Sequence, residues 1–376
     1  MTERLFSIFS KYCTCTYFQP RGEGTYVGEG SFSIHTVQRR NDYGTQYSWY
    51  LLSSVQPGRM SLLSHYSFLI HSFIHHHHSS FIIHHSSFII LQSKIAAMTN
   101  QSNSNFEPNG SICVITGGAN GIGKALCIHL ANLGARNIVV VDLDYKSALS
   151  VVQNDLPPGV GIAMRANCGQ EKDIRHIINR TESECGNIDA FFCNAGILST
   201  GGLEVSNDEW QQIWEVNVLQ ILYVSRHLMP RYEERKKGLL VVTASAAGLL
   251  SMPGALPYAV TKHASLSMAE WLAFTYAAKG IQVACLCPQA VRTDMIDVGD
   301  RDGGPAGLDG VVEPDDVARI TMETVAKGNF LILPHQSVSQ HMVRKAQSYD
   351  KFLKAMGKIH AKFGEKFRHA PPKSRL

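Results

Sequence analysis

The sequence predicts an α/β protein built on one doubly wound parallel sheet, and three observations carry that prediction. Apolar runs recur at residues 111–115 and in "NIVVVD", "GIAM", "IDAFFC", "LLVVTA", "IQVACLC" and "FLILP". Most of them are separated by stretches with helical spacing. The first run opens into a glycine cluster, and the second ends in an acid. Strands that alternate with helices pair in parallel, and a parallel sheet needs helices on both faces. Right-handed crossovers then make it a Rossmann-type sheet.

The elements follow in order. The first strand ends at Thr116. A helix over 122–133 follows, with Ile122, Ala125, Leu126, His129, Leu130 and Leu133 at helical spacing. Gly134 fits its C-terminal cap. "NIVVVD" is the second buried strand and ends at Asp142. The glycines Gly117, Gly121 and Gly123 form G-x-x-x-G-x-G. Such a turn lets backbone approach a pyrophosphate, and the helix N-terminus behind it offers unpaired N–H groups and a positive dipole end. A carboxylate at Asp142 accepts hydrogen bonds from adenosine ribose hydroxyls and repels a 2′-phosphate. Neither Asn120 nor Leu143 is basic, so the cofactor expected is NAD, with NADP the lesser candidate. That choice also favours oxidation of an alcohol.

Residues 1–97 differ in texture. They show no sustained period and contain "HSFIHHHHSSFIIHHSSFII" at 71–90. Nine of the 17 histidines fall here. The segment is expected to be low-complexity and disordered, or an upstream tandem repeat read through, with Met98 the working start. Histidines interrupt every apolar run well short of a membrane span, and a targeting peptide is the remaining alternative. The expected organisation is 1–97 as this segment, 98–335 as the catalytic domain, and 336–376 as a C-terminal helix with a basic tail. With 35 basic and 31 acidic residues, a net charge of +4 is too mild to argue for nucleic acid. Nine cysteines without a C-x-x-C pair argue against a disulfide framework and against a metal site. They fit reduced core residues of a cytoplasmic protein.

The chemistry centres on "PYAVTKHAS" at 257–265, which sets Tyr258 one helical turn before Lys262. A neighbouring ammonium favours phenolate and lowers a tyrosine pKa, so that the phenol can exchange protons with an alcohol or ketone.

"TGGANGIG" (116–123), "CNAG" (193–196), Asn217 in "WEVNV", Ser245 in "VVTASAAG", "YAVTK" (258–262) and "PQAVRT" (288–293) stand in one order. Together they make residues 111–334 resemble the classical short-chain dehydrogenases/reductases, with a weak similarity to 15-hydroxyprostaglandin dehydrogenase-like members. The resemblance implies an Asn217–Ser245–Tyr258–Lys262 tetrad. In it Tyr258 is the general acid/base, Lys262 lowers its pKa and holds the nicotinamide ribose, Ser245 binds the substrate oxygen, and Asn217 anchors a water relay. It implies cofactor contacts from Thr116, Gly117, Gly121, Ile122, Gly123, Asp142, Asn167, Asn194, Ala195, Gly196, Tyr258, Lys262 and Thr293. The substrate implied is a small-molecule alcohol or ketone, which the weak similarity narrows to a secondary alcohol on a lipid, and the assembly a homodimer or homotetramer. Cys193, Gln289, Ala244 and Asn167 depart from residues common in the family. A catalytically quiet NAD-binding scaffold or sensor, or a membrane- or partner-bound platform, is the alternative.

The Gly- and Asp-rich stretch 294–310 reads as a lid. Met295, Ile296, Leu198, Leu249, Leu250 and Met252 are its candidate apolar lining. Met342, Ala346, Tyr349, Leu353, Met356, Ile359, Phe363 and Phe367 predict one amphipathic helix over 338–367, packing on the core or a neighbour, or lying on a membrane surface.

Overall fold

The computed structural model describes residues 32–40, 46–54, 105–295 and 304–363. Two compact units divide the chain, Met1–Phe88 and Ile89–Leu376. Within the first, β1 (Phe32–Arg40) pairs antiparallel with β2 (Gln46–Ser54), in a register that sets Phe32 opposite Ser54. Within 1–97 the described residues are those of this ribbon alone. The His-rich tract lies outside the described residues.

The second unit holds a seven-stranded, wholly parallel sheet. Its strands are β3 (Ile112–Thr116), β4 (Asn137–Asp142), β5 (Gly161–Arg165), β6 (Ala190–Cys193), β7 (Gly238–Thr243), β8 (Ile281–Leu286) and β9 (Leu331–Ile332). They run across the sheet in the order β5-β4-β3-β6-β7-β8-β9. The order reverses between β3 and β6, and the carboxyl ends of those two strands form the crevice where such sheets bind ligands. β9 is only two residues long, because just Leu331 and Ile332 of the predicted "FLILP" run pair with β8.

Alternate residues of each strand feed two cores. Val114, Val141, Phe191, Leu240 and Val283 pack on α3 (Glu171–Glu184), α5 (Gln220–Arg235) and α7 (Leu256–Tyr276). Cys113, Ile115, Val140, Phe192 and Val241 pack on α1 (Gly121–Asn132), α2 (Tyr145–Asn154) and α8 (Pro314–Ala326). Burying strands on both faces explains why they read as continuous apolar runs. Each fully buried phenylalanine contributes about 1.5–3 kcal/mol. α1 stops as predicted at Gly134, whose φ of +87° lets its N–H turn back to the Ala131 carbonyl at 3.0 Å. Six of the seven described cysteines are buried and the seventh is half-buried, and all seven are free thiols.

α4 (Asn207–Trp214) starts with a capping box of Ser206 and Glu209. It runs through a wider turn, Glu215–Leu219, into α5. A four-residue helix, α6 (Ala247–Leu250), follows β7. Beyond β9, the single C-terminal helix predicted over 338–367 is instead two helices, α9 (Ser337–Gln347) and α10 (Tyr349–Phe363). Ser348, in extended backbone (φ −154°, ψ 89°), separates them. The break lets Val338 and Met342 of α9 and Phe352 of α10 pack together on Leu250 and Leu333. Tyr349 and Leu353, predicted on the packed face, are exposed, and residues 364–376 lie outside the described residues. Among the described residues no helix is long and apolar enough to cross a membrane.

Candidate active site

The crevice is built first from glycines. Gly117 (φ +63°) ends β3 in left-handed backbone, so that the turn can double back. A Cβ added to Gly121 would stand 2.8 Å from Thr293 Cγ2, and one on Gly117 would stand 3.0 Å from Ala195 Cα. Helix α1 begins at Gly121 with no side-chain cap from Asn120 and no acid in its first turn. Its leading N–H groups and positive end therefore face the crevice unneutralised by side chains, an arrangement that suits a pyrophosphate. Ile122, in the same turn, leans partly on the core. Asp142 accepts from the Ala119 N–H through Oδ2 and from the Asp144 N–H through Oδ1, both at 3.1 Å. Asn167, after β5, accepts from the Gly169 N–H at 3.0 Å.

Thr116 ends β3 with its side chain turned into the protein. It is fully buried, and its Oγ1 meets the Phe192 carbonyl, Gln220 Oε1 and the N–H groups of Asn194 and Ala195 at 3.0–3.2 Å. Its hydroxyl braces β3 against β6. Asn194 continues the brace. Its Nδ2 donates to the Thr116 carbonyl at 3.1 Å, and its Oδ1 accepts from Thr243 Oγ1 at 3.1 Å. Gln220 Nε2 donates to the Ala195 and Val216 carbonyls. Beside Cys193 the sheet is thus braced by these neighbours.

The four residues of the expected tetrad converge beyond β6 and β7. α7 starts with Pro257 in its first turn, which fixes where Tyr258 and Lys262 emerge, one turn apart. The Tyr258 phenol lies beside the Ser245 hydroxyl. Ser245 Oγ accepts from the Ala247 N–H at 3.1 Å and lies 3.3 Å from the Pro288 carbonyl. Lys262 Nζ donates to the Thr243 carbonyl at 2.9 Å and lies 5.6 Å from the Tyr258 ring centre. A Cβ on Gly196 would stand 3.2 Å from Lys262 Nζ and 3.3 Å from Asn217 Oδ1, so glycine is what lets those two groups approach. Asn217 sits in the wide turn. Its Nδ2 donates to the Ile197 carbonyl (3.0 Å) and Thr261 Oγ1 (3.1 Å), and its main-chain carbonyl accepts from Ser265 Oγ at 2.8 Å.

Tyr258 and Ser245 lie in the lining of a cavity of about 770 Å³, within the size range of pockets for drug-sized ligands. Leu198, Leu250, Met252 and Met295 line it as expected, whereas Leu249 packs toward α9 and α10 instead. Ile296 lies outside the described residues. Of the expected lid, residues 304–309 form a short 3₁₀ helix on one side of the cavity, and 296–303 are outside the described residues.

The family model for short chain dehydrogenase matches residues 111–302, half of the chain. The chain belongs to the short-chain dehydrogenase family. Its relatives include meso-2,3-butanediol dehydrogenase of Serratia marcescens, 29% identical over 56% of this chain and 86% of that protein. Cyclohexanol dehydrogenase of an Acinetobacter species is 30% identical over 50% of this chain and 76% of that protein. A solved short-chain dehydrogenase/reductase of Burkholderia phymatum, in complex with NAD, superposes with a TM-score of 0.61 at 27% identity, covering 65% of this chain and 96% of that one. No prostaglandin dehydrogenase is among these relatives, and the finer resemblance gains nothing from them.

In this short-chain dehydrogenase the expected tuning of tyrosine by lysine is corrected. Burial pushes the Tyr258 phenol up, and the neighbouring Ser245 hydroxyl only partly offsets it. The charge of Lys262 is itself weakened, because burial pulls its pKa from 10.5 down to about 8. Desolvation outweighs the ion–phenol attraction read from spacing alone.

That shift has a signed consequence for stability. Below pH 8 the buried ammonium is charged in both folded and unfolded chains, and its desolvation destabilises the fold, on the order of 3 kcal/mol. Between about pH 8 and 10.5 the unfolded chain holds the extra proton, so stability should rise with pH. Buried thiols act oppositely above pH 9, since burial raises Cys113 and Cys168 to about 12. The expected result is therefore a difference. In urea titrations, subtracting a Lys262→Met variant from the wild type should leave a rise across that window, and a flat difference would refute the shift.

Sequence reading missed four residues of the site. Thr243 receives Lys262, Thr261 receives Asn217, Gln220 locks the β6 loop, and a Cβ on Gly248 would stand 2.4 Å from the Lys262 carbonyl. Thr243, Thr261 and Gly248 lie inside the quoted motifs, so their signal was present. Gln220 lies outside them and acts on main-chain carbonyls, which spacing does not reveal.

Proposed function

We propose that this chain is an NAD-dependent dehydrogenase/reductase that interconverts a secondary alcohol and its ketone. The observation that carries the reading is Tyr258 beside Ser245 in the lining of one apolar cavity, with Lys262 one helical turn behind it. The glycine turn and the uncapped start of α1 would hold the pyrophosphate, and Asp142 the adenosine ribose. Asn167, Asn194, Ala195, Gly196 and Thr293 would line the remaining cofactor surface. When bound, the nicotinamide cofactor supplies the hydride acceptor or donor.

The chain's own residues do the rest. Ser245 orients the substrate oxygen and steadies charge that develops on it. Tyr258 Oη takes the alcohol proton during oxidation and returns it during reduction. Lys262, anchored on the Thr243 carbonyl, holds its ammonium beside the phenol and the ribose. The Asn217 carbonyl keeps a second lone pair after accepting from Ser265, which fits a water relay toward solvent. Apolar walls exclude bulk water from the reacting carbon. We further propose a homo-oligomer, because α7 leaves Trp271 and Phe274 exposed side by side, their ring centres 6.3 Å apart.

The test is formation of reduced nicotinamide, followed by absorbance, with NAD⁺ and NADP⁺ across a panel of secondary alcohols. Turnover with NAD⁺ supports the reading, whereas tight NAD binding without turnover of any alcohol favours the scaffold alternative. Asp142 tests the cofactor choice separately. Asp142→Asn keeps an acceptor for Ala119 but removes the charge, and Asp142→Ala removes both. Calorimetry should show NAD affinity falling about tenfold in the alanine variant and the NAD:NADP preference narrowing in both. An unchanged preference in both variants would remove Asp142 from the ribose site.

A further inference from the structure

The cavity that holds Tyr258 and Ser245 is closed on one side by α9 and α10, residues far from every quoted motif. Met356 and Ile359 of α10 line it, and so does Phe352. Four charged or titratable side chains from the roof and the 3₁₀ helix also line it: Asp309, His341, Arg344 and Lys351. Asp309 and His341 are partners at 2.9 Å, and Asp309 also accepts from Gln289 Nε2 at 2.9 Å. Arg344 and Lys351 differ. Among the described residues neither side chain takes part in an ion pair or a side-chain hydrogen bond. By contrast, neighbouring Lys345 is engaged with the Leu249 carbonyl at 2.6 Å.

The two free cations are also placed alike. Arg344 is in the last turn of α9 and Lys351 in the first turn of α10, on either side of the Ser348 break, and Gln347 and Ser348 between them line the same cavity. Both cations are exposed, so they stand where the cavity meets solvent. Ser245 and Tyr258, by contrast, are buried. A ligand that fills this space would meet proton-transfer groups at one place, apolar wall through its middle, and unpaired positive charge where it reaches water. Neutral small alcohols would use none of that charge. An arginine can take a carboxylate through two parallel hydrogen bonds, and a lysine can add a point charge.

We propose that α9 and α10 select the substrate, and that it is an elongated apolar secondary alcohol or ketone whose far end carries an anionic group, held by Arg344 and Lys351. This rests on the dehydrogenase reading above for the reacting end only. Because the cations are exposed, each contact is individually weak, and the expected gain from the pair is about tenfold in affinity.

The probes are 11-hydroxydodecanoate and its methyl ester, which share the chain and the alcohol and differ in charge. Calorimetry on the full-length protein with NAD⁺ present should show the acid binding about tenfold tighter than the ester. The advantage should vanish in Arg344→Gln/Lys351→Gln. It should persist in Lys354→Gln, a control on the same helix outside the cavity lining. Equal binding of acid and ester by the wild type, or an advantage that survives the double variant, overturns the proposal. Turnover recorded in parallel separates the two readings. An acid bound preferentially and never oxidised upholds the anionic end and counts against the dehydrogenase reading, while oxidation of both probes with no preference does the reverse.

Discussion

Replacing Tyr258 with Phe should lower turnover about a thousandfold and leave cofactor affinity unchanged. The ring stays, so the packing of Tyr258 with Ile213, Ala247 and Ala255 survives. What goes is the phenolic hydroxyl that lies beside Ser245 in the cavity lining. Its high pKa makes the loss sharper. A phenol kept neutral by burial can give a proton to a developing alkoxide. Steady-state rates with NAD⁺ and a turned-over alcohol, beside calorimetric NAD titrations, provide the check. A variant that retains a tenth or more of the activity would move the acid/base role elsewhere, and one that loses NAD binding equally would mean that Tyr258 serves mainly to shape the cofactor site.

The second large effect is structural. Gly123→Ala would put a Cβ 1.9 Å from the Gly117 carbonyl oxygen and 2.7 Å from Asn194 Nδ2. Neither neighbour is the loose end of a flexible chain. One is backbone at the turn, and the other is the amide that ties β3 to β7 through Thr116 and Thr243. Relief requires α1 to back away from β3, opening Leu126 and Leu130 from the core. The expected cost is about 3 kcal/mol in urea unfolding, together with a large loss of NAD affinity, because the first turn of α1 no longer faces the crevice. Unchanged unfolding would show that the turn relaxes without strain.

The two effects divide the site along a line visible in the sequence. Close-approach glycines are legible because their spacing follows from the strand–turn–helix geometry itself, whatever packs around it. A tyrosine and a lysine four residues apart are legible because a helix puts them on one face. The same pair was misread in its electrostatics. Spacing reports that two groups are near, whereas pKa depends on how much water each has lost, and that is decided by β7, β8 and the β6 loop closing over α7. The partners of the Thr116 hydroxyl were illegible for a related reason: Phe192, Asn194, Ala195 and Gln220 stand some 76 to 104 residues away.

The C-terminal helix shows the limit most plainly. Its apolar residues repeat at three and four through Ser348 as though nothing happened there. Nothing local demanded the break. It arises because two short helices cover both Leu250 and the open side of the cavity, which one straight helix could not do. The N-terminal ribbon was likewise invisible, since pairing Phe32–Arg40 with Gln46–Ser54 satisfies backbone groups whether or not side chains alternate.

By itself, then, the sequence determined the parallel α/β sheet, the glycine turn, the acid after β4, and the tyrosine–lysine pair, all of which rest on local geometry within one or two elements. Only the tertiary structure decided the state of the phenol, the bracing around Thr116 and Asn194, and the cavity with its two unpaired cations. Those depend on desolvation and on contacts between segments distant in the chain, and no local pattern encodes either.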